Sequence, residues 1–386
     1  MKPANSVLSS YGTTVFEVMN QVAAEHGAIN LGQGFPVGME AREVLDAAAV
    51  AVVDGWNQYP PMMGLPELRQ AVAAHEARFY GLDVDWQTEV MVTSGATEAL
   101  ADCFLGLIEP GDEVVLIEPL YDSYLPMIRR AGGVPKLVRV EPPNWTLPRE
   151  ALEAAFSERT KLLLINNPLN PAAKVFDTDE LDFLAELVVR FDTYAVCDEV
   201  YEHITFDGRR HTPLITMPGM RDRCLKIGSA GKTFSLTGWK VGYITAAAEL
   251  LQPIAKAHQF VTFTTPPNLQ AAVAYGLALD DAYFGQLSQA MQDKRDRCAE
   301  GLTAAGFEVI DCAGTYFISA DFRPLGFDGD DIAFCRYVTE QAGVTALPVS
   351  AFYQEGDVTQ YVRFCFCKED EVLDESSRRL KTFFSG

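Results

Sequence analysis

Between residues 89 and 245 short, β-branched apolar runs alternate with longer stretches in which apolar residues return every three or four positions. The runs Val90–Thr93, Glu113–Ile117, Lys136–Val140, Lys161–Ile165, Tyr194–Cys197, Cys224–Ile227 and Val241–Thr245 read as strands, and the stretches between them as helices. Strands that alternate with helices predict a largely parallel sheet covered by helices, an α/β architecture. Two helical patterns flank the turn at Tyr59-Pro-Pro-Met-Met-Gly64, and more fill 249–306, the last of them a hinge toward a second unit. There the pattern changes. Phe307–Ile310, Thr315–Ala320, Gly343–Ala346 and Tyr361–Cys367 read as strands, with a helix over Asp330–Ala342 and another near the C-terminus. This smaller α+β unit is expected to take in part of the N-terminus, where a short helix precedes strand-like Ala28-Ile-Asn-Leu. The expected division is 1–45 for an arm and part of the small domain, 46–285 for the large domain, and 286–386 for the small one.

Four segments at element ends carry candidate chemistry. Ser229-Ala-Gly-Lys232-Thr-Phe-Ser-Leu-Thr-Gly-Trp-Lys240-Val-Gly-Tyr243 sets a lysine among small residues after an apolar run. An ammonium drawn out of water sheds its proton more readily, and the free amine can trap a carbonyl as a Schiff base. A Gly-rich turn with two solvent-facing lysines reads the same way. In Glu89-Val-Met-Val-Thr-Ser94-Gly95-Ala96-Thr97-Glu98 a strand passes through a tight turn into a helix. The free N–H groups and dipole of such a helix start favour a phosphate, although a Thr cap with an early Glu also starts helices that bind no anion. Asp198 closes the strand in Thr193-Tyr-Ala-Val-Cys-Asp198-Glu199-Val-Tyr201, at the edge where α/β sheets bind ligands. There it can hold a protonated ring nitrogen, with Tyr201 donating to a phenolate; a strand end with Asp as the next cap is the plain alternative. Asn166-Asn167-Pro-Leu-Asn170-Pro171 can end a strand and nothing more, or hold an amide against a ligand.

Bulk properties narrow the field. A chain of 386 residues is long enough for two domains. Its 53 acidic against 31 basic residues, net −22, would repel nucleic acid and anionic membranes. A phosphate site must therefore be a local pocket. No apolar run approaches the roughly 20 residues of a membrane helix. Met1-Lys-Pro-Ala-Asn-Ser lacks a signal peptide's apolar region, so a cytoplasmic protein is expected. Eight cysteines without a CxxC are expected to be reduced thiols, with Cys365 and Cys367 buried on one side of a strand. No metal is expected, and His203 and His211 read as local loop or helix residues. Gly32-Gln-Gly34 lacks the third glycine of a dinucleotide fingerprint.

In this order the segments resemble the class I aminotransferases, the fold-type I enzymes of pyridoxal 5′-phosphate (PLP), over nearly the whole chain. Within that family the chain looks closest to the kynurenine, glutamine and methionine aminotransferases. The matching segments are Thr13-Thr-Val-Phe16-Glu, Asn30-Leu-Gly-Gln-Gly34-Phe-Pro, Asn57-Gln-Tyr59, Gly64-Leu-Pro-Glu-Leu-Arg69 and Val362-Arg363-Phe-Cys-Phe366. The resemblance implies a large domain with a mostly parallel seven-stranded sheet, a smaller α+β domain, and an active site between them at a homodimer interface. It implies that Lys232 carries the cofactor and moves the substrate's α-proton, and that Asp198 holds the pyridine nitrogen. Tyr201 and Asn170 would bond the ring's phenolic oxygen, and Tyr121 would stack on the ring. Gly95, Ala96, Thr97, Ser229 and Lys240 would hold the phosphate, joined by Tyr59 of the neighbouring subunit. Arg363 would grip the substrate carboxylate with Gly34 and Asn170, while Phe16 and a second-subunit Phe263 would flank the side chain.

Around Phe260-Val-Thr-Phe263-Thr-Thr-Pro-Pro there is no Arg or Lys to meet a side-chain carboxylate. Neutral, aromatic or sulfur-containing amino donors with a 2-oxo acid acceptor are therefore expected. An aspartate/glutamate-type aminotransferase, or a cysteine-conjugate β-lyase on the same scaffold, is the alternative. A PLP-binding regulator would need an added DNA-binding domain, and no basic patch supplies one. The chain departs from the family after Asn170-Pro171, where Ala172-Ala173 replaces the usual Thr-Gly or Leu-Gly. Without the glycine a left-handed backbone is less favourable, so this loop is expected to differ.

Overall fold

The computed structural model describes residues 2–385. β1 (Ile29–Asn30) is short and lies apart from the large sheet. That sheet comprises β2 (Val90–Thr93), β3 (Glu113–Glu118), β4 (Val134–Arg139), β5 (Thr160–Asn166), β6 (Tyr194–Asp198), β7 (Cys224–Ser229) and β8 (Gly242–Ala246). Their spatial order is β2-β8-β7-β6-β5-β3-β4, and only β8 runs against the rest. Side chains alternate across the pleat. Val115, Ile117, Leu163 and Ile165 join one core with Val44, Leu68 and Val72 from the helices Arg42–Asp54 and Pro66–Tyr80. Val114, Leu116, Leu162 and Leu164 join another with Leu100, Phe104 and Ile254 from Gly95–Leu107 and Ala248–Val261. Covered on both faces, the central strands carry apolar residues at successive positions rather than at every second one, with Lys226 of β7 the exception, buried between Glu76 and Glu202. The carboxyl ends of β2, β5, β6 and β7 thus deliver Ser94-Gly95, Asn166, Asp198 and Ser229 to one edge of the sheet.

The second unit has β9 (Glu308–Val309), β10 (Phe317–Asp321), β11 (Val344–Thr345), β12 (Leu347–Pro348) and β13 (Tyr361–Cys365). Four of these form an antiparallel sheet, β12-β13-β10-β9, while β11 pairs in parallel with β1. The helix Asp281–Ala304 touches both units: Tyr283 packs on the first core, and Leu287, Met291 and Leu302 belong to the small unit's core.

Three local expectations need correction. The strand read at 343–346 shortens to β11, and a separate strand that was not read, β12, follows it and serves a different sheet. The helix read over 330–342 is α-helical at Asp331–Tyr337, then widens to a looser turn at Val338–Ala342. There the Thr339 hydroxyl donates to the Cys335 carbonyl at 2.6 Å, a side-chain bond that competes with the helical ladder. β13 ends at Cys365, two residues short of the run read from the sequence; Cys365 N–H bonds Leu31 O, and Phe366 N–H bonds Tyr316 O in the register of β10. All eight cysteines are buried and unbridged, and Cys365 Sγ lies 3.1 Å from Cys367 Sγ on the same face.

Candidate active site

The carboxyl edge of the large sheet opens into a cleft of about 220 Å³ lined by Gly95, Ala96, Thr97, Tyr121, Asn170, Asp198, Tyr201, Ser229, Lys232 and Lys240. Ten residues named from the sequence therefore meet in one place. Lys232 sits in the single helical turn Ala230–Thr233 that follows β7. Burial pulls its pKa below the ordinary lysine value, against the opposing charges of Cys367 and Asp198. What exposure the side chain keeps is to the cleft.

Asp198, the last residue of β6, accepts a hydrogen bond from the Tyr124 hydroxyl at 2.5 Å on Oδ2. Its Oδ1 is buried without a partner among the described residues. Burial raises this carboxyl's pKa, and the Tyr124 bond opposes that. A free carboxylate oxygen in a dry cleft suits a cationic N–H donor. Asn166 Nδ2 donates to the Asp198 carbonyl at 2.8 Å, and Asn166 Oδ1 accepts from Asn170 N–H at 2.7 Å. β5 and β6 are thereby tied to the 166–171 loop.

The opposite end of the cleft is built for an anion. The helix Gly95–Leu107 begins there, with Lys240 Nζ 3.4 Å from Thr97 Oγ1. Gly95 is required on two counts: its φ is +78°, and a Cβ would lie 3.2 Å from Lys240 Cε. These donors fit a phosphate, and the unpartnered Asp198 oxygen fits a protonated pyridine. The residues present are consistent with PLP.

A second hollow adjoins the first and shares Tyr121, Asn170, Tyr201 and Lys232 with it. It is lined as well by Phe16, Gly34, Phe35, Asp122, Phe317 and Arg363. Arg363, on β13, is 1% exposed. Its guanidinium donates to Asn170 Oδ1 at 2.8 Å and to Gly32 O at 3.0 Å, while Nε has no partner among the described residues. Phe317, Phe352 and Phe16 surround it at 3.8, 4.7 and 5.5 Å from their ring centroids. Burial lowers its pKa to about 10, which leaves it cationic at neutral pH. A buried guanidinium with no carboxylate of its own has the chemistry to receive one.

Two residues named from the sequence lie elsewhere. Tyr59 and Phe263 pack edge to face on each other, 5.7 Å between centroids, on an exposed surface. His203 and His211 are also outside the cleft. His203 Nε2 is 2.7 Å from His75 Nε2, and His211 Nε2 is 2.8 Å from Glu199 Oε2. Three residues that the sequence did not single out are Tyr124, Asp122 and Tyr316. Tyr124 and Asp122 neighbour Tyr121, but nothing in their spacing marks them.

Ala173 does adopt the left-handed backbone, with φ +57°. Its N–H bonds Leu169 O at 2.7 Å, and its carbonyl accepts from Ala313 and Gly314 N–H at 2.9 and 3.0 Å. The left-handed backbone that the missing glycine makes less favourable is thus present, and these bonds hold it against the strain of a Cβ in that region.

Residues 26–380 match the family model for aminotransferase class I and II. The methionine aminotransferase of Escherichia coli (strain K12) is 37% identical, covering 97% of each chain. The kynurenine–oxoglutarate transaminase of Dictyostelium discoideum is 37% identical over 98% of this chain and 96% of its own length. The solved structure of N-succinyldiaminopimelate aminotransferase from Mycobacterium tuberculosis superposes with a TM-score of 0.96 at 45% identity, covering 99% of this chain and all of that one. Likeness of this extent in sequence and fold places the chain in the class I and II aminotransferases, enzymes of the fold-type I, PLP-dependent group.

Proposed function

We propose that this aminotransferase takes its amino group from a neutral, aromatic or sulfur-containing L-amino acid and passes it to a 2-oxo acid in two half-reactions. The observation that carries this reading is the lining of the hollow beside Arg363. Phe16, Phe35 and Phe317 offer apolar surface, and Asp122 adds negative charge at the mouth. Lys232 is the only other cation in that lining, so a side-chain carboxylate meets no dedicated partner.

Arg363, with Asn170 and the backbone of Gly34, fixes the substrate carboxylate and with it the direction of the Cα–H bond. Lys232 would be the residue that holds the cofactor, and its free amine would carry the proton away from Cα. PLP, when bound, is the sink for the electron pair left at Cα. Asp198 would keep its ring nitrogen protonated, Tyr201 and Asn170 would hold its phenolic oxygen, and Tyr121 would stack on the ring. Gly95, Ala96, Thr97, Ser229 and Lys240 hold the phosphate. Tyr59 and Phe263 complete the site of a second copy of the chain in a homodimer.

Absorbance of the purified holoenzyme, mixed with single amino acids and no oxo acid, tests the donor. Methionine, phenylalanine or kynurenine should convert the chromophore to the pyridoxamine form at least ~10-fold more efficiently than aspartate or glutamate. That ratio corresponds to about 1.4 kcal/mol, within reach of one apolar contact. Preference for aspartate or glutamate would overturn the reading. A second reading rests on the 45% identity to the N-succinyldiaminopimelate enzyme. Conversion by N-succinyldiaminopimelate outpacing all the neutral donors would favour it. Pyruvate released from a cysteine conjugate without any acceptor would favour the β-lyase.

A further inference from the structure

Tyr316 belongs to neither set of residues named above as holding cofactor or substrate, yet it touches the reactive amine. It is fully buried just before β10, after Thr315 turns the chain at φ +67°. Its hydroxyl lies 2.6 Å from Lys232 Nζ and 2.8 Å from Gly34 O. A carbonyl oxygen can only accept, so the phenolic proton is committed to Gly34 and the phenol's lone pairs face the lysine. In this contact the lysine must be the donor. Burial holds the phenol's pKa well above its ordinary value, so it stays neutral and cannot trap the lysine in a salt bridge.

We infer that Tyr316 is a positioning residue for Lys232: it takes one N–H of the free amine and so fixes the direction of the remaining lone pair. A lysine amine at the end of four rotatable carbons otherwise samples many orientations, and only some of them reach a substrate Cα–H. The contact also couples two tasks. Gly34 O receives the Tyr316 proton and Gly32 O receives Arg363, so one short strip of backbone braces both the lysine and the carboxylate grip. The inference rests on the reading that Lys232 carries the cofactor and moves the α-proton.

Tyr316→Phe tests it, since the ring keeps its edge-to-face packing on Tyr201, 5.1 Å between centroids, and only the oxygen is lost. In the holoenzyme kcat should fall about 10- to 100-fold, with KM for the amino donor within about twofold of wild type. The kinetic isotope effect with an α-deuterated donor should rise, because proton transfer becomes more limiting. In the apoprotein the pH midpoint for labelling Lys232 with acetic anhydride, read by mass spectrometry, should move down, because an acceptor that favours the ammonium is gone. Unchanged kcat, isotope effect and labelling midpoint would overturn the proposal. So would a fall in kcat with the isotope effect and midpoint unmoved, which marks a purely structural role. If Tyr316→Phe does not fold, 3,5-difluorotyrosine at 316 weakens the acceptor at nearly constant shape and should give smaller changes in the same directions. Borohydride reduction of the wild-type holoenzyme with peptide mapping separates the two layers. PLP found on another lysine defeats the reading of Lys232, whereas PLP on Lys232 with unaltered Tyr316→Phe kinetics defeats only this inference.

Discussion

Ala173 is held in the left-handed region by hydrogen bonds from both sides of the loop, and its methyl group is the strained element. Ala173→Gly relieves that strain, in part offset by the larger entropy of glycine in the unfolded chain. The net expectation is stabilisation by about 0.5–1 kcal/mol, a rise of roughly 1–3 °C in melting temperature by calorimetry. A fall in melting temperature would mean that the alanine's packing, at 1% exposure, outweighs its backbone cost. The same position marks a limit of reading a sequence residue by residue. The missing glycine was visible. The three hydrogen bonds that make it dispensable were not, because two come from Ala313 and Gly314, which no local pattern links to Ala173. Lys232 and Asp198 were legible because each sits in a motif where a strand ends, and Arg363 because it is a lone charge in an apolar strand; Tyr316 was not, since the contact it makes depends on Gly34, far away in the chain.

The helices Gly95–Leu107 and Ala248–Val261 meet over a buried ionic cluster directly behind the anion end of the cleft. His258 Nδ1 lies 2.9 Å from Glu98 Oε1, and Nε2 lies 3.0 Å from Met62 O. Glu98 also accepts from Ser94 N–H, so it serves as a carboxylate. Both ring nitrogens then face acceptors, and the imidazole must carry two protons. Burial lowers its pKa, but the hydrogen bond and charge of Glu98 prevail and raise it. Asp102 lies 3.8 Å from the same ring with both oxygens unpartnered among the described residues, and burial raises its pKa to about 8. A raised histidine stabilises below its unfolded pKa near 6.5 and loses that contribution as pH climbs through the folded value. A raised aspartic acid releases its proton earlier in the unfolded chain, so stability also falls between about pH 4 and pH 8. Thermal melts should therefore show a melting temperature lowered by this cluster as pH rises from about 4 to about 8, and Asp102→Asn should flatten that fall. An unchanged slope in the variant would place the loss elsewhere. Of the strands, the large sheet was legible nearly to the residue, because runs buried on both faces are unbroken. β12, at Leu347–Pro348, was not read from the sequence; β9 and β11, also two residues each, fell inside longer runs read as strands, because so short a pairing has no period of its own to set its bounds.

The whole chain leaves an apolar face uncovered. Tyr59 is 79% exposed and Phe260 81%, with Val53, Trp56, Val261 and Phe263 exposed beside them. Apolar surface of this kind belongs to interfaces rather than to a lone soluble chain. In the proposed homodimer Phe260→Asp should give a monomer by sedimentation, with activity reduced at least ~10-fold although Lys232 is untouched. A dimer of full activity would show that this face does other work. The pairing of β1 with β11 has a different consequence, one of timing. Ile29 meets its partner Val344 only after roughly three hundred more residues are made, about 15–60 s at ordinary rates of synthesis. β2, an edge strand, likewise waits beside a gap until β8 arrives. Lys232 leaves the ribosome well before Arg363, so on the proposed roles a nascent chain would own its reactive amine before it could choose a substrate.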